Sequence, residues 1–140
     1  MFKKIALAFI AAFSASFAIA TVAQAETVHA DATETASSVL KSGTFEGKNK
    51  HITTGGVSIV KTASGYVAIL ESDFDLDGAP APTLGFGKNG FDKNTEFTKL
   101  ESDKGLQIYA IPANINPADY TEFYVWCADF DVALGVAALK

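Results

Sequence analysis

Residues 123–127 read Phe-Tyr-Val-Trp-Cys, the strongest strand signal in the chain. Aromatic and β-branched side chains of this kind pack well on a pleated surface. Because side chains alternate between the two faces of a strand, Val125 and Cys127 are predicted to share one face and Tyr124 and Trp126 the other. The face that Val125 occupies therefore bears directly on the chemistry of Cys127, the only cysteine.

Further short segments of the same kind lie on both sides of this strand. Residues 57–60 and 66–70, with a Thr-Ala-Ser-Gly turn at 62–65 between them, predict a hairpin. The other strand candidates are residues 83–87, 96–100, 106–111 and 132–139. The alanines of the last candidate also permit a helical turn. Many short strands without a long helical period predict an all-β fold, an antiparallel β-sandwich in a single domain.

The chain begins with the three parts of a secretory signal peptide. Lys3 and Lys4 form a positive region, residues 5–19 are apolar and uncharged, and residues 23–25 (Ala-Gln-Ala) supply a cleavage site. The alternative, a retained membrane helix, needs about 20 strongly apolar residues, whereas this segment is shorter and rich in Ala and Ser. Residues 1–25 are therefore predicted to be removed on export, leaving a periplasmic or secreted protein without a transmembrane segment.

Export makes the chain more acidic. Removal of residues 1–25 takes away two of the eleven basic residues and no acid, so the mature charge is more negative than the −5 of the full sequence. The chain has no arginine and its lysines are scattered. Nucleic acids and anionic membranes are recognised by clustered cations, so neither is an expected partner. An envelope protein or a small ligand is the expected class of partner, with its identity unknown.

Residues 26–42 contain mostly Ala, Thr and Ser, with three acids and little that could form a core. This composition predicts a flexible acidic linker, and the alternative is an arm that folds on binding a partner. The ordered domain is predicted over residues 43–140. His29 lies in the predicted linker, which leaves His51 as the only histidine of the predicted domain.

Several pieces of residues 43–140 resemble, in the same order, the DM13 domain, a secreted or periplasmic module described as an electron-transfer domain. The pieces are residues 43–47 with His51, residues 55–60, residues 74–82 with their Asp-Gly-Ala-Pro-Ala-Pro turn, residues 107–112 with Tyr120, and residues 125–132 followed by 134–139. Leu134 stands where many relatives have Phe, a change that a core tolerates. The resemblance implies a β-sandwich and a redox role, with the family's cysteine falling on Cys127.

Three outcomes are open for Cys127. A lone thiol in an oxidising compartment is buried and inert, exposed and reactive, or joined to another molecule. A face shared with Val125 favours burial as a small apolar side chain. As a redox thiol, the candidate catalytic group, Cys127 would need access to solvent and a stable thiolate. His51 is its possible neighbour, and the alternative for His51 is a hydrogen bond at the surface or in a turn.

Metal and cofactor sites find little support in the sequence. Asp73, Asp75 and Asp77 imitate the beginning of a calcium loop, but Leu84 stands where an EF-hand has its last carboxylate. The three aspartates are therefore weak metal candidates, and the alternative is the exposed face of an edge strand. Haem would depend on His51 or Cys127 alone, so the cofactor is left unknown.

Other well-known sites are missing. Blue copper is excluded because both histidines precede the cysteine and the only methionine is residue 1. There is no Cys-x-x-Cys-His haem motif, no Gly-x-Ser-x-Gly elbow and no phosphate loop. The lack of a complete catalytic set argues against an enzyme. Two hypotheses result: a redox accessory protein that uses Cys127, or a non-catalytic binding or structural module that presents residues 77–82 and 88–94 to an envelope partner.

Overall fold

The computed structural model describes residues 36–140. The predicted signal peptide, residues 1–25, lies outside the described residues, as does the part of the predicted linker up to residue 35. Within the described part of the chain, no helix has the length and apolar character needed to cross a membrane.

The described residues form ten β-strands and two short 3-10 turns. The strands are β1 (Ser38–Gly47), β2 (Thr53–Thr54), β3 (Gly56–Thr62), β4 (Gly65–Leu70), β5 (Asp75–Leu76), β6 (Pro82–Gly87), β7 (Thr98–Lys99), β8 (Gln107–Ile111), β9 (Glu122–Cys127) and β10 (Val132–Ala138). The 3-10 turns are Lys93–Thr95 and Pro117–Asp119. The predicted hairpin is confirmed as β3 and β4, and residues 132–138 are a strand, not a helical turn. The candidate at 96–100 shortens to the two residues of β7, and β2 and β5 have no counterpart among the predictions.

Eight strands form one antiparallel sheet in the order β7-β6-β9-β10-β1-β3-β4-β8, and β2 pairs with β5. Strand β1 joins the two halves of this sheet, since its first part pairs with β3 and its last three residues pair with β10. At the opposite border, the hydroxyl of Tyr109 in β8 accepts a hydrogen bond of 2.9 Å from the N–H of Glu101, just after β7. The sheet thus nearly closes around its core, which confirms the all-β antiparallel prediction. The two layers of the predicted sandwich are the two halves of this one sheet.

Strand β1 begins inside the region predicted to be a flexible linker. Residues 38–42 are strand, so the linker prediction is wrong for these five residues and the ordered domain begins earlier than predicted. The reason is tertiary pairing: Ser38 lies opposite Lys61 of β3, and Ser42 and Lys140 exchange two backbone hydrogen bonds of 3.0 and 2.9 Å. A segment poor in core-forming residues is ordered here by the strands on either side.

The core between the two halves is rich in phenylalanine. Phe45, Phe74, Phe86 and Phe123 are buried, and the rings of Phe86 and Phe123 meet edge to face with 5.0 Å between their centroids. Such an arrangement places the positive edge of one ring against the negative face of the other. The rings of Phe45 and Phe123 lie 6.2 Å apart, so one aromatic cluster contacts β1, β6 and β9.

The strand registers place the loops at two ends of the domain. The end that holds the last residue of β9, here called the thiol end, carries residues 48–52, 71–81, 100–106 and 128–131. The opposite end, here called the cavity end, carries residues 63–64, 88–97 and 112–121. The two loops predicted to meet a partner therefore lie at different ends, residues 77–82 at the thiol end and residues 88–94 at the cavity end.

Candidate functional site

Cys127 is the last residue of β9, opposite Val132 of β10 and Pro82 of β6. It is a free cysteine and only 1% of its surface is exposed. Val125, on the same face of the strand, is fully buried. The predicted alternation is therefore confirmed, and of the three outcomes considered for the thiol the structure shows burial.

A thin cover lies over this thiol. The Cys127 thiol donates a hydrogen bond to the carbonyl oxygen of Pro80, at 3.2 Å, and Pro80 itself is exposed. The next residue, Ala81, has a φ of 46°, and its carbonyl accepts from the N–H of Ala128 at 3.2 Å. A left-handed backbone costs a residue with a side chain about 1–2 kcal/mol. The thiol is thus one residue away from solvent, beneath a loop that stores some strain.

His51, in the segment between β1 and β2, contacts the beginning of the same loop. Its Nδ1 atom lies 2.9 Å from Oδ1 of Asp77, and the backbone N–H of Ile52 donates to Oδ2 of Asp77 at 3.0 Å. The hydrogen bond from His51, and after it the one from Ile52, holds the pKa of Asp77 below its ordinary value. The two bonds tie residues 51–52 to the loop that covers the thiol.

His51 and Cys127 thus contact one loop at two different residues. Among the hydrogen bonds and ion pairs of residues 36–140, none joins His51 directly to Cys127. A direct pairing of the two side chains stays a prediction. The structure instead brings them together through residues 77–82, the segment that carries the Asp-Gly-Ala-Pro-Ala-Pro turn.

The three aspartates that imitate a calcium loop contact separate partners. Asp73 accepts from the N–H of Gly56 at 3.0 Å, Asp75 forms an ion pair of 2.9 Å with Lys104, and Asp77 binds His51. Within residues 36–140, no group of three or more His, Cys, Asp or Glu side chains is arranged to hold a metal ion. The metal site therefore gains no support from the described side chains and stays a prediction.

The surroundings of Cys127 do not fit a haem, because the sulfur is buried and bonded to Pro80. The bond from Nδ1 of His51 to Asp77 leaves Nε2 available, so a haem ligand at His51 stays a prediction. A cavity of about 470 Å³ lies instead at the cavity end, between the β3–β4 turn and the segment after β8. Its lining consists of Ser64, Gly65, Tyr66, Ile111, Pro112, Ala113, Ile115 and Asn116. None of these is charged. Some of them lie in a predicted turn and in the pieces that resemble the DM13 domain, but no binding site was predicted there from the sequence.

The outer face of β9 carries a group of aromatic side chains, here called the outer aromatic cluster: Phe91, Tyr124 and Trp126. The rings of Phe91 and Trp126 are stacked, with 4.1 Å between centroids and 14° between planes. Phe91 also meets Tyr124 edge to face at 5.4 Å. A Cβ at Gly85 would lie 2.7 Å from the ring of Phe91, so the glycine makes room for the ring. Sequence reasoning missed this cluster, and the period-two spacing of Gly85 and Gly87 in β6 is the signal that could have indicated it, since a Cβ at Gly87 would lie 2.7 Å from the ring of Tyr124.

Tyr124 is the chemically distinctive member of this cluster. Only 7% of its surface is exposed, and its hydroxyl donates to Oε2 of Glu122 at 2.9 Å. Burial, and after it the hydrogen bond to Glu122, raises the pKa of Tyr124 to about 12. The phenol is therefore neutral at physiological pH and directs its proton at a carboxylate.

A family model described as electron transfer DM13 matches residues 44–139. The chain belongs to the DM13 family. No curated protein and no solved structure matches the chain. The matched residues include Cys127, the His51–Asp77 pair and the outer aromatic cluster. This DM13 domain therefore combines two groups capable of redox chemistry, a buried thiol on the inner face of β9 and a tyrosine–tryptophan pair on its outer face.

Proposed function

We propose that this DM13 domain is a redox accessory protein of the cell envelope, in which Cys127 is the group that changes oxidation state. The electron-transfer description of the family supports this role. The observation that carries the proposal is the position of the thiol, buried in the core and yet 3.2 Å from the carbonyl of the exposed Pro80. A thiol so placed is protected while the loop is closed and becomes reachable when one loop moves.

The redox step is a thiol–disulfide exchange with a partner. Cys127 loses its proton and its sulfur attacks a disulfide of the partner. A sulfur–sulfur bond to Cys127 forms, the partner's own sulfur–sulfur bond breaks, and the departing sulfur takes up a proton as a thiol. Cys127 is oxidised and the departing sulfur is reduced, so electrons balance without a further reactant.

Access to the sulfur is controlled by residues 77–82 in this proposal. Attack requires the carbonyl of Pro80 to leave the sulfur, because a thiolate reacts only where the other molecule can reach it. Asp77 holds the beginning of the loop through His51 and Ile52. His51 therefore acts on the thiol by fastening its cover, as a positioning residue.

Alkylation of the native protein tests this arrangement. The bonds of Asp77 to His51 and Ile52 are here called the clasp. With a maleimide, we expect slow labelling of Cys127 in the wild type and faster labelling in Asp77→Asn, which loses the negative charge of the clasp. Glu46→Gln is the matched control, because it removes an exposed carboxylate from an ion pair with Lys48 at the same end. The proposal is contradicted if Cys127 is labelled only on global unfolding in the wild type and in Asp77→Asn alike, and protein isolated from cells carries no mixed disulfide.

Export through residues 1–25 is part of the same proposal, because a disulfide partner persists in oxidising compartments. The Lys-Lys start, the apolar stretch and the Ala-Gln-Ala site support it. Intact mass measured on the protein from a periplasmic fraction is expected to correspond to a chain that begins at Glu26. A full-length mass in the membrane fraction contradicts export by cleavage.

A second candidate, a non-catalytic binding module, is favoured by the cavity of about 470 Å³ at the cavity end. Its volume is typical of small-molecule sites. The uncharged lining, with an aromatic ring at Tyr66 and an amide at Asn116, suits a neutral polar ligand such as a glycan. Sedimentation with purified peptidoglycan is expected to retain the wild type and lose Tyr66→Ala. Equal behaviour of the two proteins argues against this candidate.

A further inference from the structure

The outer aromatic cluster holds two of the most easily oxidised side chains of the protein next to each other. Trp126 is the only tryptophan, and its ring centroid lies 6.2 Å from that of Tyr124. Trp126 is partly exposed, whereas Tyr124 is buried. An electron can therefore leave at the surface through the indole, while the resulting radical resides on a phenol that solvent does not reach.

Oxidation of a phenol near neutral pH releases its proton, so a tyrosine gives up an electron readily only where a base receives that proton. Glu122 occupies this position, with Oε2 at 2.9 Å from the hydroxyl of Tyr124. The same oxygen accepts from the N–H of Gly90 at 3.0 Å, which fixes the carboxylate in place. Proton transfer requires heavy atoms at hydrogen-bond distance, and this pair satisfies the requirement without rearrangement.

The chain supplies its own comparison for this pair. In β8 the hydroxyl of Tyr109 also donates to the residue two positions earlier, the side-chain oxygen of Gln107. That acceptor is an amide, which does not take up a proton. Tyr109 is buried as well, and it has no aromatic contact with Trp126. Two tyrosines in the same strand geometry thus differ in whether the hydroxyl donates to a carboxylate and whether an indole lies beside the ring.

We propose that Trp126, Tyr124 and Glu122 form a one-electron donor site on the outer face of β9. In its reaction, an organic peroxyl radical or an equally strong one-electron oxidant takes an electron from Trp126. Tyr124 refills the indole and passes its proton to Glu122, which leaves a neutral tyrosyl radical. The peroxide anion takes the proton from Glu122, so the net change converts a peroxyl radical and a phenol into a hydroperoxide and a tyrosyl radical. A quinol-class reductant restores the phenol with one electron and one proton.

This site rests on the electron-transfer role proposed for the domain but not on its thiol. The two redox groups lie on opposite faces of β9, because Cys127 faces the core and Trp126 faces outward. A failure of the thiol hypothesis therefore leaves the donor site unaffected, and the experiment can separate them.

The proposal is tested by photo-oxidation of the full chain. The oxidant is ruthenium(III) tris-bipyridine, and the radicals are detected by electron paramagnetic resonance. Each of the four tyrosines is changed to Phe in turn. We expect the tyrosyl signal to fall severalfold in Tyr124→Phe and to persist in Tyr109→Phe, Tyr120→Phe and Tyr66→Phe. A signal that survives in Tyr124→Phe at the wild-type level, or disappears in Tyr109→Phe, overturns the proposal.

Two further variants separate the roles of base and thiol. Glu122→Gln keeps an acceptor but removes the base, so the tyrosyl yield is expected to fall severalfold and the slowing of radical formation in D₂O to disappear. An unchanged yield in this variant overturns the role of Glu122. Cys127→Ser is expected to leave the signal intact, and a signal lost with the thiol contradicts the donor site. A signal on Tyr124 beside a thiol that never oxidises refutes only the thiol hypothesis.

Discussion

The loops at the thiol end of this DM13 domain and the loops at its cavity end are fixed by different contacts. At the thiol end the loops are fastened through carboxylates, since Asp77 binds His51 and Ile52, and Asp75 forms an ion pair with Lys104. At the cavity end the lining is uncharged, and residues 88–97 are fixed by the buried neutral hydroxyl of Thr95 as well as by the exposed ion pair of Lys93 with Asp131. Exposed ion pairs contribute little stability and loosen with salt or acid, whereas buried neutral hydrogen bonds persist. The loop that covers the thiol is therefore one that salt or acid can loosen.

The largest change is expected from an added methyl group at the thiol end. A Cβ at Gly47 would overlap the backbone carbonyl of His51, which no side-chain rotation relieves. Gly47→Ala must displace the loop that carries His51 and should reduce the free energy of unfolding by about 3 kcal/mol, the upper part of the range for overpacking. Urea unfolding measures this loss.

Gly56→Ala provides the control for this substitution. A Cβ at Gly56 would press only on the flexible side chain of Glu71, at 3.1 Å, and would make an ordinary van der Waals contact of 3.7 Å with the carbonyl of Gly43. We expect a loss well below that of Gly47→Ala. Equal losses of unfolding free energy in the two variants would mean that the loop of His51 moves aside at little cost. The loops of the thiol end would then be less rigid than their hydrogen bonds indicate.

The next largest loss of stability is expected from replacing a buried threonine, and each end of the domain has one. Thr95, near the cavity end, accepts from the N–H of Phe86 at 2.7 Å and bonds the carbonyl of Phe86 at 2.9 Å. Thr53, near the thiol end, donates to the carbonyl of Leu134 at 2.8 Å. Both are 1% exposed. Thr95→Val leaves a buried N–H without a partner and should cost about 2–3 kcal/mol, whereas Thr53→Val should cost about 1 kcal/mol.

Thermal and urea unfolding of the two valine variants check this order. Valine has nearly the shape of threonine, so packing is preserved and the difference reports on hydrogen bonding. A larger loss at Thr53 than at Thr95 would reverse the comparison, since it would place the stronger buried hydrogen bond at the thiol end.

Sequence reasoning predicted the sheet better than it predicted the sites. Alternation in residues 123–127 correctly placed Cys127 on the face of Val125, which favoured burial without deciding it. A strand with one face in the core leaves its register little freedom. Strand β1 was missed because its order comes from pairing with β3 and β10, and no local pattern in residues 38–42 carries that information. Tertiary pairing overrides composition in such a segment.

The sites depend on contacts between loops that are distant in sequence. The clasp of His51 on Asp77 joins residues 26 positions apart, and the bond from Cys127 to Pro80 spans 47. Neither spacing follows a strand or helix period. The stacking of Phe91 on Trp126 depends in the same way on the room left by Gly85. The residue types capable of chemistry could be named from the sequence, but their partners required the fold.

The smallest effect is expected from the titration of Asp77, and it concerns only the thiol end. Because the pKa of Asp77 is lower in the folded protein than its ordinary value of 3.8, its ionised form stabilises the fold at every pH above that value. The contribution decreases as the pH falls through the lowered pKa of the folded state. Asp77→Asn removes this contribution, so its melting temperature should lie below that of the wild type at neutral pH and approach it in acid. Asp129→Asn, which changes the charge equally in the exposed turn after β9, is the control. The prediction fails if the melting temperatures of wild type and Asp77→Asn differ by the same amount from pH 7 to pH 3. That result would show that the clasp is held by Ile52 alone, and that His51 does not fasten the loop over the thiol.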